Sequence, residues 1–289
     1  MLNYYVINGE VCDKNRNEGY DMGDYSFDIG RFSLMTTLLN VVNENSCESS
    51  SYALACYFLR HFYELDKLNI YDVADECFVS RSGVQRFCKS IGFDTFSGLK
   101  SSSPLERNIH KTSFIAYANR PDFRDFIRAS MDEMMREVEQ MADKQDVAGF
   151  ARDIHDSPNV VLLTAEFSSM APRDLQQELL VAGKLISLVT DSHPDYALLR
   201  SLTESDLLIV CSATGNYAYA VNRAIEQLTK PKKTLVTLNR DPLFTKTYQT
   251  VYHLSGRNLD HQRSVYTKYG VSYFLDLLYH AYLQTYYHI

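Results

Sequence analysis

Arg81, Ser82, Gln85, Arg86 and Lys89 recur at helical spacing and make a face suited to a nucleic acid. Arginine pairs with guanine edges, glutamine with adenine, and serine or lysine with phosphate. Between them Val84, Phe87, Cys88 and Ile91 fall at i, i+3, i+4 and i+7, which predicts a helix with its apolar side buried. Ser80 stands where an N-cap belongs, Val79 and Val84 make an apolar pair across it, and Gly92 with Phe93 closes the far end. Just upstream, Val73, Ala74 and Cys77 put a small apolar face on a first short helix, and a brief turn separates the two. That combination is a helix-turn-helix, whose second helix enters the major groove. The plainer alternative is a solvated helix with ordinary surface charges; the coincidence of small first helix, short turn, capped second helix and basic face weighs against it. Gly83 lowers helix propensity but removes a side chain where a backbone would approach closely. Ser82, Gln85 and Arg86 are the candidates for bases, and Ser80, Arg81, Lys89 and Lys100 for phosphates.

These residues sit in an acidic chain. Its 289 residues carry a net charge of −7, so the sum gives no electrostatic reason for DNA contact. The window 80–100 differs: Arg81, Arg86, Lys89 and Lys100 face only Asp94. Hydrophobic residues at 45% suffice for a packed core, and the length predicts about two domains. No apolar run approaches the roughly 18 residues of a membrane span. The first thirty residues carry Asp13, Glu18, Asp21, Asp24 and Asp28, lack an apolar core and are expected to be a poorly ordered lead-in rather than a signal peptide. The six cysteines are scattered without a Cys-x-x-Cys pair, which fits reduced thiols in a cytoplasm.

Along the chain, residues 31–63 read as two helical pieces. Phe32, Met35, Leu38, Leu39 and Val42 share one face; Leu54, Ala55, Phe58, Leu59 and Phe62 share another. Residues 121–142 read as one helix, with Ile127, Met131, Met134, Val138 and Met141 packed inward. From 159 onward short apolar runs at 160–163, 185–189, 207–210, 235–238 and 251–254 alternate with helical stretches at 172–181, 195–202 and 217–228, the pattern of a parallel sheet covered on both faces. A last helix, about 263–287, is rich in tyrosine, which suits either core packing or self-association. The expected domains are the lead-in at 1–30, a helical DNA-binding domain at 31–105, a helical connector at 106–155 and an α/β domain at 156–289.

The frame Val79-Ser80, Arg86-Phe87-Cys88-Lys89, Gly92-Phe93, Phe96 and Leu99-Lys100 resembles the N-terminal domain of RpiR-type bacterial transcriptional regulators. That family often carries Ser or Thr where Gly83 stands. The resemblance implies that the rest of the chain is a sugar-isomerase (SIS) domain: a flavodoxin-like fold with a five-stranded parallel sheet that binds phosphorylated sugars. In that strand order the ligand crevice opens at the C-terminal ends of the first and third strands. The loops there are Thr164-Ala165-Glu166-Phe167-Ser168-Ser169 and Cys211-Ser212-Ala213-Thr214-Gly215-Asn216-Tyr217. Hydroxyls at a helix N-terminus make an anion site, so Ser168, Ser169, Ser212, Thr214, Gly215 and Asn216 are the effector-binding candidates. The second loop is similar to the family's Ser-x-Ser-Gly-Glu-Thr signature at Ser212, Thr214 and Gly215, with Asn216 and Tyr217 departing from it. The first loop retains only Ser168 of Gly-x-Gly-x-Ser, and Glu166 puts a negative charge where phosphate would be repelled. The plainer reading of Ser168, Ser169 and Thr214 is helix capping.

The expectation is a cytoplasmic regulator, not an enzyme, that binds a double-stranded DNA operator as a dimer or tetramer and answers to a sugar or sugar-phosphate effector. No cofactor, metal or membrane partner is expected, since no P-loop, metal-ligand cluster or nucleophile elbow appears. The alternatives are a sugar-phosphate isomerase of the SIS fold, or a regulator or adaptor that has lost effector binding. An isomerase needs a base over the sugar; Glu166, His193, His253 and His261 are candidates, with no paired acid/base constellation among them.

Overall fold

The computed structural model describes residues 4–7, 10–13, 33–102, 115–257 and 264–287. Residues 33–102 and 115–287 fall into separate compact units, the first helical and the second α/β. Within the expected lead-in, β1 (Tyr4–Ile7) and β2 (Glu10–Asp13) pair antiparallel, from Tyr4 opposite Asp13 to Ile7 opposite Glu10. This pairing is order that the lead-in reading did not include; the rest of 1–30 lies outside the described residues.

In the helical unit each α-helix start has a side-chain cap. Ser33 accepts the Thr36 N–H at α1 (Leu34–Glu44), and Ser49 that of Tyr52 at α2 (Ser50–Arg60). Asn69 accepts from Tyr71 at α3 (Ile70–Glu76), Ser80 from Gly83 at α4 (Arg81–Ser90), and Thr95 from Gly98 at α5 (Phe96–Ser101). A cap of this kind satisfies an orphan donor and is worth about 1 kcal/mol. A 3-10 stretch, Phe62–Lys67, leads from α2 to α3. The core is Leu38, Leu54, Phe58, Leu65, Val73, Val84, Phe87, Cys88, Ile91 and Leu99, with Phe58 stacked on Phe87 at 5.8 Å between centroids. All the expected inward residues of α4 are therefore buried. Gly92, at φ 92°, ends the helix in the left-handed region, and the Phe93 N–H reaches back to the Cys88 carbonyl. Leu39, expected to pack inward, is exposed, because α1 buries only Thr37 and Leu38.

In the α/β unit a short helical turn at 115–118 precedes α6 (Phe123–Lys144) and α7 (Val147–Asp156). Its strands are β3 (Val160–Thr164), β4 (Ser187–Thr190), β5 (Leu207–Cys211), β6 (Lys232–Thr237) and β7 (Thr250–His253). Between and after them run α8 (Met170–Val181), α9 (Tyr196–Ser201), α10 (Asn216–Gln227), the short α11 (Phe244–Thr247) and α12 (Val271–Tyr286). The sheet is wholly parallel in the order β4-β3-β5-β6-β7, the flavodoxin-like order expected. Inner strands β3 and β5 are buried throughout, which is why they read as unbroken apolar runs. Edge strand β4 is only half-buried at its start, and Leu185, expected within it, lies ahead of it and is exposed.

One core joins Met134 and Val138 of α6, Phe150 and Ile154 of α7, the sheet, and Phe274 and Leu278 of α12. The helix expected as part of a connector thus packs on the α/β core. Tyr266 and Tyr282 belong to that core, and Tyr269, Tyr273, Tyr279 and Tyr286 pack against it, so most of the tail tyrosines have an intramolecular use. A polar clamp adds to it: the Glu137 carboxylate accepts from Ser255 Oγ, the Gly256 N–H, Arg257 Nη2 and Tyr266 OH, at 2.7, 3.0, 2.8 and 2.6 Å. Burial pushes this carboxyl up, but those donors outweigh it and hold it at about 2.

Candidate functional site

The outer side of α4 carries Arg81, Ser82, Arg86 and Lys89, all exposed, with the cap Ser80. Ser80 Oγ accepts the Gly83 N–H at 3.1 Å and shares a 2.8 Å hydrogen bond with Ser82 Oγ. Arg81 is braced on α3: Nη1 donates to Tyr71 OH at 3.0 Å, and the guanidinium lies 4.8 Å above the Tyr71 ring. A methyl at Gly83 would meet Ser80 Oγ at 3.4 Å and Val79 Cβ at 3.5 Å, so the helix itself has room for it. Lys100 lies on α5 with Nζ 5.8 Å from the Phe96 ring centre.

Gln85 has a second use. It is half-buried, and its Oε1 accepts the Phe96 N–H at 3.1 Å, tying α4 to the first residue of α5. A bidentate pair with adenine needs both amide atoms. In this arrangement one lone pair of the oxygen is committed within the protein and its direction is fixed, while the NH2 group is left to donate. The sequence also gave no sign of Phe78. It ends α3 at φ 52°, with the Val79 N–H bonded to the Ala74 carbonyl at 2.9 Å, and its side chain is 96% exposed. A left-handed non-glycine residue costs about 1–2 kcal/mol, and an exposed ring recovers none of that by packing.

In the α/β unit the loops expected to bind effector leave the sheet at one level, since Thr164 pairs with Thr190 on one side and Cys211 on the other. After β5, the buried Ser212 Oγ accepts the Ala218 N–H at 3.2 Å and Thr214 Oγ1 accepts the Asn216 N–H at 3.3 Å. These hydroxyls cap α10 from within, and each keeps its proton to donate. Gly215 takes φ 82°, and a Cβ there would stand 2.7 Å from Asn239 Cβ. Asn239 holds the loop by donating to the Thr214 carbonyl at 3.1 Å. Asn216 is half-exposed at the helix start.

After β3, Ser168 is exposed and Ser169 is buried. Ser169 Oγ accepts from Arg173 Nε at 3.2 Å. Glu166 Oε2 accepts from Thr190 Oγ1 at 2.6 Å, and Oε1 accepts from Arg173 Nη2 at 3.1 Å. His193 Nδ1 stands 3.6 Å from Oε2, so the fold does bring together an acid and a base that sequence spacing left apart. Burial raises the Glu166 carboxyl, but Thr190, Arg173 and His193 outweigh it and the net shift is downward. His253, at the end of β7, is pushed down by its burial and by Arg240; His261 lies outside the described residues. Among the described residues no group of His, Cys, Asp and Glu is placed to hold a metal ion, and no helix is long and apolar enough to cross a membrane.

Residues 37–109 match the family model of the helix-turn-helix domain, rpiR family. The frame at 79–100 lies inside that match. No curated protein matches the chain. Among solved structures, the NanR protein of Vibrio vulnificus, complexed with ManNAc-6P, is similar at 17% identity and a TM-score of 0.49, over 88% of this chain and 92% of that one. The sugar isomerase domain of an RpiR transcription factor from Sphaerobacter thermophilus is similar at 17% identity and a TM-score of 0.43, over 55% of this chain and 89% of that one. A hypothetical protein of Methanococcus jannaschii, with an inferred molecular function of 3-hexulose-6-phosphate isomerase, is similar at 13% identity and a TM-score of 0.41, over 56% and 89%.

Proposed function

We propose that this chain is a sequence-specific DNA-binding transcription regulator whose operator affinity is set by a sugar-class ligand in the crevice between the β3 and β5 loops. The observation that carries the reading is the match at 37–109 falling on a capped helix with Arg81, Ser82, Arg86 and Lys89 turned outward. In this reading α4 lies in the major groove. Arg86 and Ser82 face bases, Ser80, Arg81, Lys89 and Lys100 hold phosphates, and Gln85 donates its amide hydrogens while keeping α5 in place. One head offers few contacts, so the chain acts in the cytoplasm as a dimer or tetramer on a two-fold site. The ligand changes operator affinity through its differential affinity for two arrangements of the assembly. Ser168, Ser169, Ser212, Thr214, Gly215 and Asn216 frame its site. The protons left on the Ser212 and Thr214 hydroxyls suit sugar oxygens.

The second reading, a sugar-phosphate isomerase, is favoured by the Glu166–His193 pair. Against it, a carboxylate tied to Arg173 and Thr190 with a lowered pKa is a weak general base. Selection from a random duplex pool, followed by gel shift with and without free, amino- and phosphorylated sugars, tests the first reading. Enrichment of one sequence and a sugar-dependent shift are expected. Thr214→Val with Asn216→Ala should lose the sugar response and keep the DNA. No enrichment, or a double variant that still responds fully, contradicts the respective half. Turnover of a sugar phosphate by the purified chain would favour the isomerase.

A further inference from the structure

The donors around Glu166 make a set that an acidic ligand would seek. Thr190 Oγ1 donates to Oε2 at 2.6 Å, Arg173 Nη2 to Oε1 at 3.1 Å, and Ser169 Oγ to Oε1 at 3.5 Å, while His193 Nδ1 stands 3.6 Å from Oε2. They come from β4, from α8 and its cap, and from the loop after β4. A guanidinium, hydroxyls and an imidazole converging on one point are the usual partners of a phosphate or carboxylate. Here the anion they hold belongs to the chain itself, and its side chain is only 16% exposed. The adjoining helix start offers one donor fewer than usual, because Pro172, within the first turn of α8, brings no N–H. A further negative group lies alongside: buried Asp191 accepts the Glu166 N–H at 2.7 Å.

We propose that Glu166 is the resident anion of the ligand crevice. It fills the place that an acidic ligand group would take, so the crevice selects neutral or amino sugars over sugar phosphates. This rests on the crevice being the ligand site. The loop that carries Glu166, residues 164–169, holds no glycine, so its backbone is not shaped for close approach to a phosphate.

The test is calorimetric titration of inorganic phosphate into the full-length chain, as wild type, as Glu166→Ala and as Glu166→Ala with Arg173→Ala. Phosphate should bind Glu166→Ala at least about tenfold more tightly than wild type, and the second substitution should remove the gain. Equal phosphate affinity in wild type and Glu166→Ala overturns the inference. If circular dichroism shows that the alanine variant does not fold, Glu166→Gln, which keeps the volume and drops the charge, takes its place. It too should bind phosphate more tightly than wild type, and equality again overturns the inference. A parallel arm titrates a free hexosamine and a hexose 6-phosphate into wild type, and preference for the hexosamine is expected. Tighter binding of the hexose 6-phosphate overturns the selectivity while leaving the crevice as a ligand site. Binding of neither sugar, with the phosphate gain intact, removes the crevice as a sugar site and upholds Glu166 as its anion.

Discussion

Gln85 joins fold to function, and two substitutions separate its roles. Gln85→Ala removes the acceptor of the Phe96 N–H, a part-buried donor that has no replacement in the α5 cap, since Thr95 is engaged with Gly98. Leaving such a donor unpaired costs about 1–3 kcal/mol. Gln85→Glu keeps an oxygen at the same reach and sits four residues from both Arg81 and Lys89, so α5 should stay docked. On DNA the same substitution removes the amide hydrogens and brings a carboxylate toward phosphates, which should weaken operator binding by about 1–3 kcal/mol. Hydrogen exchange followed by mass spectrometry reads the local opening of 95–101 in the full chain; a global denaturation midpoint would mix two units. Fluorescence anisotropy reads the operator. Expected is fast exchange and weak binding for Gln85→Ala, and near wild-type exchange with weak binding for Gln85→Glu. Exchange as fast in Gln85→Glu as in Gln85→Ala would refute the positioning role, and unchanged operator affinity in Gln85→Glu would refute the placement of this face on DNA.

Gly215→Ala should destabilise the α/β unit by about 1–3 kcal/mol, because a left-handed φ and a contact at 2.7 Å with Asn239 act together; unchanged hydrogen exchange across 207–237 would contradict this. Phe78→Gly should stabilise the helical unit by about 0.5–1 kcal/mol, the relief of a left-handed backbone less the added entropy of unfolded glycine, and slower hydrogen exchange across 70–90 is the readout. The Glu137 carboxyl, at about 2 when folded against 4.5 when free, contributes stability that is complete above pH 4.5 and is lost as the pH falls toward 2. Glu137→Gln should therefore flatten the acid limb of the stability profile, and an unchanged acid limb would contradict the clamp.

What could be read from the sequence divides by the range of the interactions. The limits of α4 follow from Ser80, Val84 and Gly92, which act within a turn or two, and the structure puts each in its expected place. Strands β3 and β5 could be read because burial on both faces leaves no polar residue to break the run. Edge strand β4 could not be bounded the same way, and Leu185 fell outside it. Phe78 gave no signal, since the residue type argues against the left-handed backbone it adopts. The Gln85–Phe96 bond and the Glu166 cluster depend on contacts between elements. Arg173 is a helical neighbour of Ser169, but nothing in the spacing brings Thr190 and His193 to Glu166. Capping was anticipated for Ser168, Ser169 and Thr214: Thr214 does take a helix-start N–H, but Ser169, at the N-cap of α8, makes no side-chain cap bond and its hydroxyl meets Arg173 instead; the role of Ser212 toward Ala218 was not anticipated, because it spans the loop.

Arg86 gives the most direct measurement. Its affinity change is read on a duplex selected from a random pool by the wild-type chain, at fixed salt, with the same selection repeated for Arg86→Ala. If α4 reads the major groove, wild type enriches a two-fold-symmetric sequence, and Arg86→Ala loses about 1–3 kcal/mol on it while relaxing preference at one base pair of each half-site. Failure of the wild type to enrich any sequence, or equal affinity and preference in Arg86→Ala, would contradict the placement of this helix on DNA.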